Sequence, residues 1–303
     1  MLQIIIFSFN RAMQLDTLLT SLKEMWLQPA YSVEVLYNTS TKDFEKGYEI
    51  LKRKYADVSF SRECKAKQEY SISDYMNLRN MVHLYRYPSL RRPRTDFRKR
   101  LISMLENNSS RYIMFMTDDA IFINKVSVSQ KIMDWIASSP FQNQFSLRLG
   151  NGMNEEPANV KRDDMGLLWN TYDVPQNNNW GYHFSVDAHI YSKELIIKLF
   201  KKYVFTNPNS LEGYICEQIR RHKWLTNGRS PLSSKLLSFP INMVQTFSDN
   251  ETLGVDSGKM NGWFLDGYTM KYPVPEVVDT FQQYPNYVYL FKDGNVMRKE
   301  LKI

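Results

Sequence analysis

Through roughly the first 120 residues, short apolar runs alternate with stretches whose apolar side chains recur every three or four positions. The run "QIIIFSF" is almost continuously apolar, as a strand covered on both faces must be. Leu15, Leu18, Leu19, Leu22 and Trp26 follow at helical spacing, and "SVEVLYN" then reads as a strand. Phe44, Tyr48 and Leu51 mark a second helix, and "DVSFS" a short third strand. "SISDYMNLRNMVHLY" opens on a cap signal at Ser73-Asp74 and predicts one helix; another begins near Thr95-Asp96. "RYIMFM" is the next strand. Repeated β-α-β units imply right-handed crossovers and a mainly parallel, Rossmann-like sheet flanked by helices. In open sheets of this kind ligands bind beyond the carboxyl ends of the strands.

The second half is less regular. "SVSQKIMDWIASS" predicts a helix and "FSLRL" a strand, followed by a polar loop over Gly150 to Asp164. "GLLWNTYD" and "YHFSVDAHIYS" read as strands, "KELIIKLFKKY" and "NPNSLEGYICEQIRRH" as helices, and "KLLSF" and "INMVQTF" as further strands. With no internal repeat, low-complexity tract or Gly/Ser linker, the expectation is a single domain with a nucleotide-binding first half.

The 303 residues, 43% of them hydrophobic, suffice for a core that folds without covalent staples. Two cysteines, Cys64 and Cys216, make no disulfide framework and no Cys/His zinc spacing, and are expected as reduced thiols. No apolar stretch approaches the ~20 residues that span a bilayer. The start "MLQIIIFSF" lacks a basic leader, so a cytoplasmic protein is expected. The net charge is +7, and the densest basic run is "RYPSLRRPRTDFRKR", Arg86 to Arg100. A solvated loop would explain it; so would a diphosphate, a nucleic acid or the anionic inner face of a membrane.

Three short stretches could carry chemistry. In "YIMFMTDDAIF" an apolar strand stops on Asp118-Asp119. Charge is costly to desolvate alone, so the pair should hold a divalent cation or face water. In "FSFNRAMQLDTLLTSL" the first strand ends at Phe9 and turns through Asn10-Arg11 into a helix, a place suited to a base, ribose or phosphate. It has neither G-x-G-x-x-G nor a G-K-[ST] loop. In "NPNSLEG" Ser210 is the expected N-cap, which puts Glu212 in the first helical turn, either complementing the helix dipole or serving as a general base.

The order of "IIIFSFNRAMQLDTLLTSL", "YIMFMTDDAIF", "FSVDAHIYS" and "NPNSLEGYI" resembles the bacterial nucleotide-sugar-dependent glycosyltransferases of the GT-A fold, family 2-like enzymes of polysaccharide biosynthesis. The resemblance covers roughly residues 1 to 250, with "GWFLDGY" weakly compatible. It implies a donor half over residues 1–124 and an acceptor half with C-terminal segment over 125–303. Thr117-Asp118-Asp119 then occupies the Asp-x-Asp-type motif, with Asp119 and Asp118 at Mn²⁺ or Mg²⁺ and Thr117 departing from the usual first acid. Ser8, Phe9, Asn10, Arg11 and Thr39 correspond to the nucleotide-binding strand exits, with Asp118, Arg98 and Lys99 toward the donor. Asp187 and His189 fall near the acceptor site, where Trp169 and Trp180 could stack on sugar rings. Glu212 corresponds to the base of inverting members.

The implied partners are a nucleoside-diphosphate sugar and a glycan or lipid-linked acceptor, with a peripheral membrane surface as a further option. A sugar-phosphate nucleotidyltransferase would need a glycine-rich first turn, and "FSFNRAMQL" has no glycine. A non-catalytic carbohydrate- or nucleic-acid-binding module is the other alternative, but no nucleic-acid-binding pattern is present.

Overall fold

The computed structural model describes residues 1–66, 70–175, 178–242 and 253–301. Strands β1 (Leu2–Phe9), β2 (Trp26–Gln28), β3 (Tyr31–Asn38), β4 (Val58–Arg62) and β5 (Tyr112–Thr117) come from the first half. Helices α1 (Ala12–Met25), α2 (Lys42–Lys54), α3 (Ile72–Met76), α4 (Leu78–Arg86) and α5 (Phe97–Glu106) connect them. Then come β6 (Ala120–Phe122), β7 (Val126–Ser127), α6 (Gln130–Ser138), β8 (Asn143–Ser146), β9 (Lys161–Asp163), β10 (Gly166–Asn170) and β11 (His189–Ser192). Helices α7 (Lys193–Lys202) and α8 (Pro208–His222) lead to β12 (Asn227–Ser230). β13 (Leu236–Ser238) pairs with β6. Helix α9 (Ser257–Leu265) precedes an antiparallel sheet of β14 (Thr269–Lys271), β15 (Tyr287–Lys292) and β16 (Asn295–Glu300).

The central sheet has nine strands in the order β4-β3-β1-β5-β11-β8-β12-β10-β9. β4, β3, β1 and β5 are mutually parallel, β11 is antiparallel to β5 and β8, and β12 is parallel to β8. β10 is antiparallel to β12 and β9, so β11 and β10 run back while the other seven run one way. The expected α/β fold with a mainly parallel sheet is present, and strands of both halves join in it.

The alternation within β1 shows how the core is divided. Ile4 and Ile6 pack on one face with Leu15 and Leu18 of α1 and Tyr48 and Leu51 of α2. Ile5 and Phe7 point to the other, against Phe97 and Leu101 of α5 and Leu195 and Leu211 of α7 and α8. A strand buried on both faces therefore needs its unbroken apolar run.

Several boundaries differ from expectation. The helix expected over 71–85 is two helices, because Asn77 holds an extended backbone (ψ 108°) and its side chain accepts the N–H of Arg79. Trp26 starts β2 instead of ending α1. The strand at "FSLRL" lies earlier, at Asn143–Ser146, and the loop over 150–164 contains β9. Only the end of "YHFSVDAHIYS" is a strand. Ala188 takes a left-handed backbone (φ 53°) and the Asp187 N–H turns back to Ser185 Oγ, so the chain joins the sheet at His189. Most of "INMVQTF" lies outside the described residues; Ile241 and Asn242, which are described, are not in a strand. Cys64 and Cys216 are both free thiols. Among the described residues no helix is long and apolar enough to cross a membrane.

Candidate active site

β1 and β5 are neighbours in parallel register, so their carboxyl ends deliver Ser8-Phe9-Asn10-Arg11 and Thr117-Asp118-Asp119 side by side. Asp118 latches the two. Its Oδ2 accepts from Ser8 Oγ at 2.7 Å and from the Phe9 N–H at 3.2 Å, and its Oδ1 accepts from Arg11 Nη1 at 3.0 Å. Ser8 Oγ also meets the Tyr48 hydroxyl at 2.6 Å, and that hydroxyl accepts the Arg11 N–H at 3.3 Å. Burial and the charge of Asp119 drive the Asp118 carboxyl up to about 6, although Arg11 and Ser8 hold it down. Asp118 is thus buried with both oxygens engaged. Expected at metal and donor, Asp118 in this structure holds the strand exits in place.

Asp119 is more open, its side chain 14% exposed. Its Oδ2 accepts from Arg11 Nη1 at 3.2 Å, and its Oδ1 has no hydrogen-bond partner among the described residues. The Arg11 Nη2 group donates to the Asn242 carbonyl, while Nε is buried without a hydrogen-bond partner among the described residues. The guanidinium faces both carboxylates and offsets part of their charge. Asn10 sits in the left-handed region (φ 57°) and exchanges hydrogen bonds with Ser40, pinning the exits of β1 and β3 together. Thr39 joins the same ledge, donating to Glu45 at 2.9 Å and accepting from Arg62 at 3.0 Å. Phe9 is partly exposed at the strand end.

Because β11 runs back, the turn before it stands at the same end of the sheet. Thr117 Oγ1 donates to Asp187 Oδ1 at 2.9 Å, so the residue in the place of the motif's first acid serves another acid. Arg148, just beyond β8, approaches Asp187 Oδ2 at 3.5 Å and donates to Asn179 at 3.2 Å. The Val186 N–H donates to Glu212 Oε1 at 2.9 Å. Burial pushes the Glu212 carboxyl up to about 7, with Asp187 raising it further and the Val186 N–H and Arg148 opposing. Asp187 is raised by burial and by Asp119, against Arg148. Tyr272, stacked on Phe239 at 4.2 Å, is buried beside Asp119 and Arg11.

The cap of α8 is Asn207, not Ser210. Asn207 Oδ1 accepts the Ser210 N–H at 2.9 Å and Ser210 Oγ accepts the Asn207 N–H at 3.1 Å. Glu212 therefore lies in the second turn, which removes the helix-dipole explanation for it.

Other expected site residues are elsewhere. Arg98 is buried in a fork with Asp74, at 3.0 and 3.1 Å, and also donates to the carbonyls of Phe200 and Lys201, tying α5 to α3 and α7. Lys99 beside it is exposed on α5. Trp169 and Trp180 are buried edge to face at 4.8 Å, with Trp169 Nε1 donating to the Trp180 carbonyl, so neither offers a ring to a sugar. His189, expected near the acceptor, is buried within the sheet, facing Gln144 at 3.1 Å and pushed well down by burial. Sequence reasoning missed Arg148, Tyr48 and Tyr272. Arg148 did leave a signal, a lone cation in the apolar run "FSLRL".

Asp119 acts on Asp118 and Asp187, and Asp187 on Glu212, so the four carboxylates form one chain beside two guanidiniums, Arg11 and Arg148. Four acids against two bases leave an excess of two negative charges when all ionise, which protons or a divalent cation would offset. No three His, Cys, Asp or Glu side chains converge as a metal cage among the described residues. Mg²⁺-type sites of substrate diphosphates need only one or two carboxylates. Asp119, with one oxygen available, fits that requirement.

No family model matches the chain. No curated protein matches it either. Among solved structures, the chain is similar to TarS of S. aureus, with 12% identity and a TM-score of 0.44 over 78% of this chain and 36% of that one. It is similar to the mannosyltransferase PcManGT from Pyrobaculum calidifontis in complex with GDP-Man and Mn²⁺, with 11% identity and a TM-score of 0.40 over 77% and 54%. A third is S. aureus TarS 1–349 in complex with UDP, with 12% identity and a TM-score of 0.39 over 77% and 57%. The chain thus spans less than two thirds of each of these solved chains.

Proposed function

We propose that the chain is a glycosyltransferase. It moves a sugar from a nucleoside-diphosphate donor to a hydroxyl of a glycan or lipid-linked acceptor, with inversion at the anomeric carbon. The reading is carried by one observation: Asp119, Asp187 and a Glu212 titrating near neutrality meet at the carboxyl end of one sheet, beside the β1 exit. The motif order in the sequence supports it, and so does the absence of a glycine in the first turn, which disfavours nucleotidyl transfer.

Phe9, Asn10 and Thr39 line the ledge for the nucleoside, with residues 1–124 serving the donor and 125–303 the acceptor. A divalent cation at Asp119, Mn²⁺ or Mg²⁺, would neutralise charge on the leaving diphosphate. Glu212 accepts the proton of the acceptor hydroxyl, a role that its raised carboxyl suits, because a base works best when it titrates near the operating pH. The acceptor oxygen bonds to the anomeric carbon while the bond from that carbon to the diphosphate oxygen breaks. The electron pair leaves with the nucleoside diphosphate. Asp187, braced by Thr117 and Arg148, orients a sugar hydroxyl.

The test is a panel of sugar nucleotides incubated with Mn²⁺ or Mg²⁺, read by mass spectrometry for nucleoside diphosphate and for inverted product. Release of sugar phosphate or pyrophosphate instead would mark nucleotidyl transfer. Turnover of none of the panel, with none of it bound, would count against catalysis.

A further inference from the structure

Helix α4 turns most of its apolar side chains outward. Its inward face carries Asn80, His83 and Leu84, and the two polar residues are accommodated there. The Asn80 amide donates to the carbonyls of Asp74 and Lys202, each at 3.1 Å, and accepts from the Tyr214 hydroxyl at 3.2 Å. His83 stacks on the Tyr214 ring at 3.5 Å. The outward face carries Leu78, Met81, Val82 and Tyr85, and the adjoining α3 adds Ile72 and Met76; Tyr85 and Met76 are each 80% exposed. Scattered apolar residues on a surface are ordinary, but six exposed ones on two adjoining short helices are a concentration that calls for an occupant.

The charges around the patch say which occupant. From Tyr75 to Thr95 there is no acidic residue, and there are five arginines: Arg79, Arg86, Arg91, Arg92 and Arg94. Among the described residues, Asp74 is paired with Arg98, Asp96 with Arg100 and Glu217 with Arg221, while Glu63 accepts from Thr95. The neighbouring ends of α7 and α8 add more positive charge, since Lys198 and Lys202 join Arg79 in pushing His222 down, after burial. A second copy docking through the same face would bring these arginines against their own kind. An acidic, amphipathic surface would not.

We propose that the α3–α4 face docks the protein on an anionic lipid bilayer, with its apolar side chains at the acyl boundary and its arginines at the phosphates. Behind this face lies α8, gripped through Asn80 to Tyr214 and Arg79 to Gln218, and Glu212 is on the same helix. If the proposed transfer is correct, the docking selects the lipid-linked acceptor over the free glycan. The docking itself does not depend on that reading.

The experiment is flotation of the full chain with phosphatidylcholine vesicles, with and without phosphatidylglycerol, at low and high salt. Two variants accompany it, Leu78→Ser/Met81→Ser/Val82→Ser and Arg86→Gln/Arg92→Gln/Arg94→Gln, whose side chains are all exposed and whose melting temperatures should match the wild type. The wild type should float with the anionic vesicles. The apolar variant should lose at least about tenfold in partitioning at both salt concentrations. The arginine variant should lose roughly fivefold for each arginine at low salt, with a smaller salt dependence. Donor hydrolysis without vesicles should be the same in all three, which separates failure of the docking from failure of the catalytic reading. The proposal is overturned if the wild type ignores anionic vesicles or the apolar variant floats like the wild type. It is equally overturned if the patch proves to hold a dimer that the apolar variant dissociates.

Discussion

Glu212 Oε1 accepts the backbone N–H of Val186 at 2.9 Å, one residue before Asp187. This bond ties the second turn of α8 to the turn that leads into β11, and it places two carboxylates in one another's field. Glu212→Gln keeps the shape and the contact but cannot take a proton. Transfer should fall by about 10²–10⁴-fold, the usual worth of a general base, with little change in donor affinity. In the wild type the rate should rise with pH through about 7, because the base must be ionised, and that rise should vanish in the variant. Steady-state rates across pH check both points, and an unaltered pH profile would remove Glu212 from the role.

Arg148 holds both Asp187 and Glu212 down, so its loss should raise them. Arg148→Met should therefore move the alkaline rise in rate to higher pH while the rate at its plateau suffers less. The same pH–rate series measures it, and a shift toward lower pH would contradict the charge arrangement described.

Asp118 and Asp119 are adjacent in sequence but differently engaged, Asp118 accepting from Ser8, Phe9 and Arg11 and Asp119 from Arg11. Asp118→Ala would leave Arg11 partly uncompensated and Ser8 and the Phe9 N–H without an acceptor. It should cost about 3–5 kcal/mol of stability, the usual effect of breaking a buried pair. Asp119→Ala leaves Arg11 paired with Asp118 and removes a more open side chain, so it should cost less than Asp118→Ala while the fold stays intact. Urea titration of the two variants compares them directly.

Much of this site was legible in the sequence, for a physical reason. Acids that interrupt an apolar strand must be accounted for, so Asp118 and Asp119 stood out, as did the β1 exit beside them. What the pattern did not carry was which acid faces inward. That depends on Ser8, Tyr48 and Arg11 meeting across three elements. Likewise Trp169 and Trp180 have the composition of a sugar-stacking pair, and only the packing of β10 against Gly228 shows them to be core. The cap of α8 was displaced by one turn because Asn207 and Ser210 are both good caps, and the reciprocal bonds between them choose Asn207. Of the apolar residues of α4 only Leu84 is buried, and periodicity cannot reveal that Leu78, Met81, Val82 and Tyr85 face outward.

Arg98 belongs to the scaffold. Arg98→Met should strand Asp74 in the interior and lower stability by about 3–5 kcal/mol, leaving nucleotide affinity per folded molecule unchanged. Lys99→Met should change neither by more than a few tenths of a kcal/mol, as exposed substitutions usually do. Thermal unfolding paired with nucleotide titration separates the two effects.

The proposed binding of a donor diphosphate with a divalent cation at Asp119 can be read by calorimetric titration of nucleoside diphosphates into the metal-loaded and chelator-treated protein. At least one nucleoside diphosphate should bind with Mn²⁺, lose at least about tenfold in affinity when the metal is chelated, and lose as much in a folded Asp119→Ala variant. Equal binding with and without metal, and equal binding by Asp119→Ala, would contradict the account.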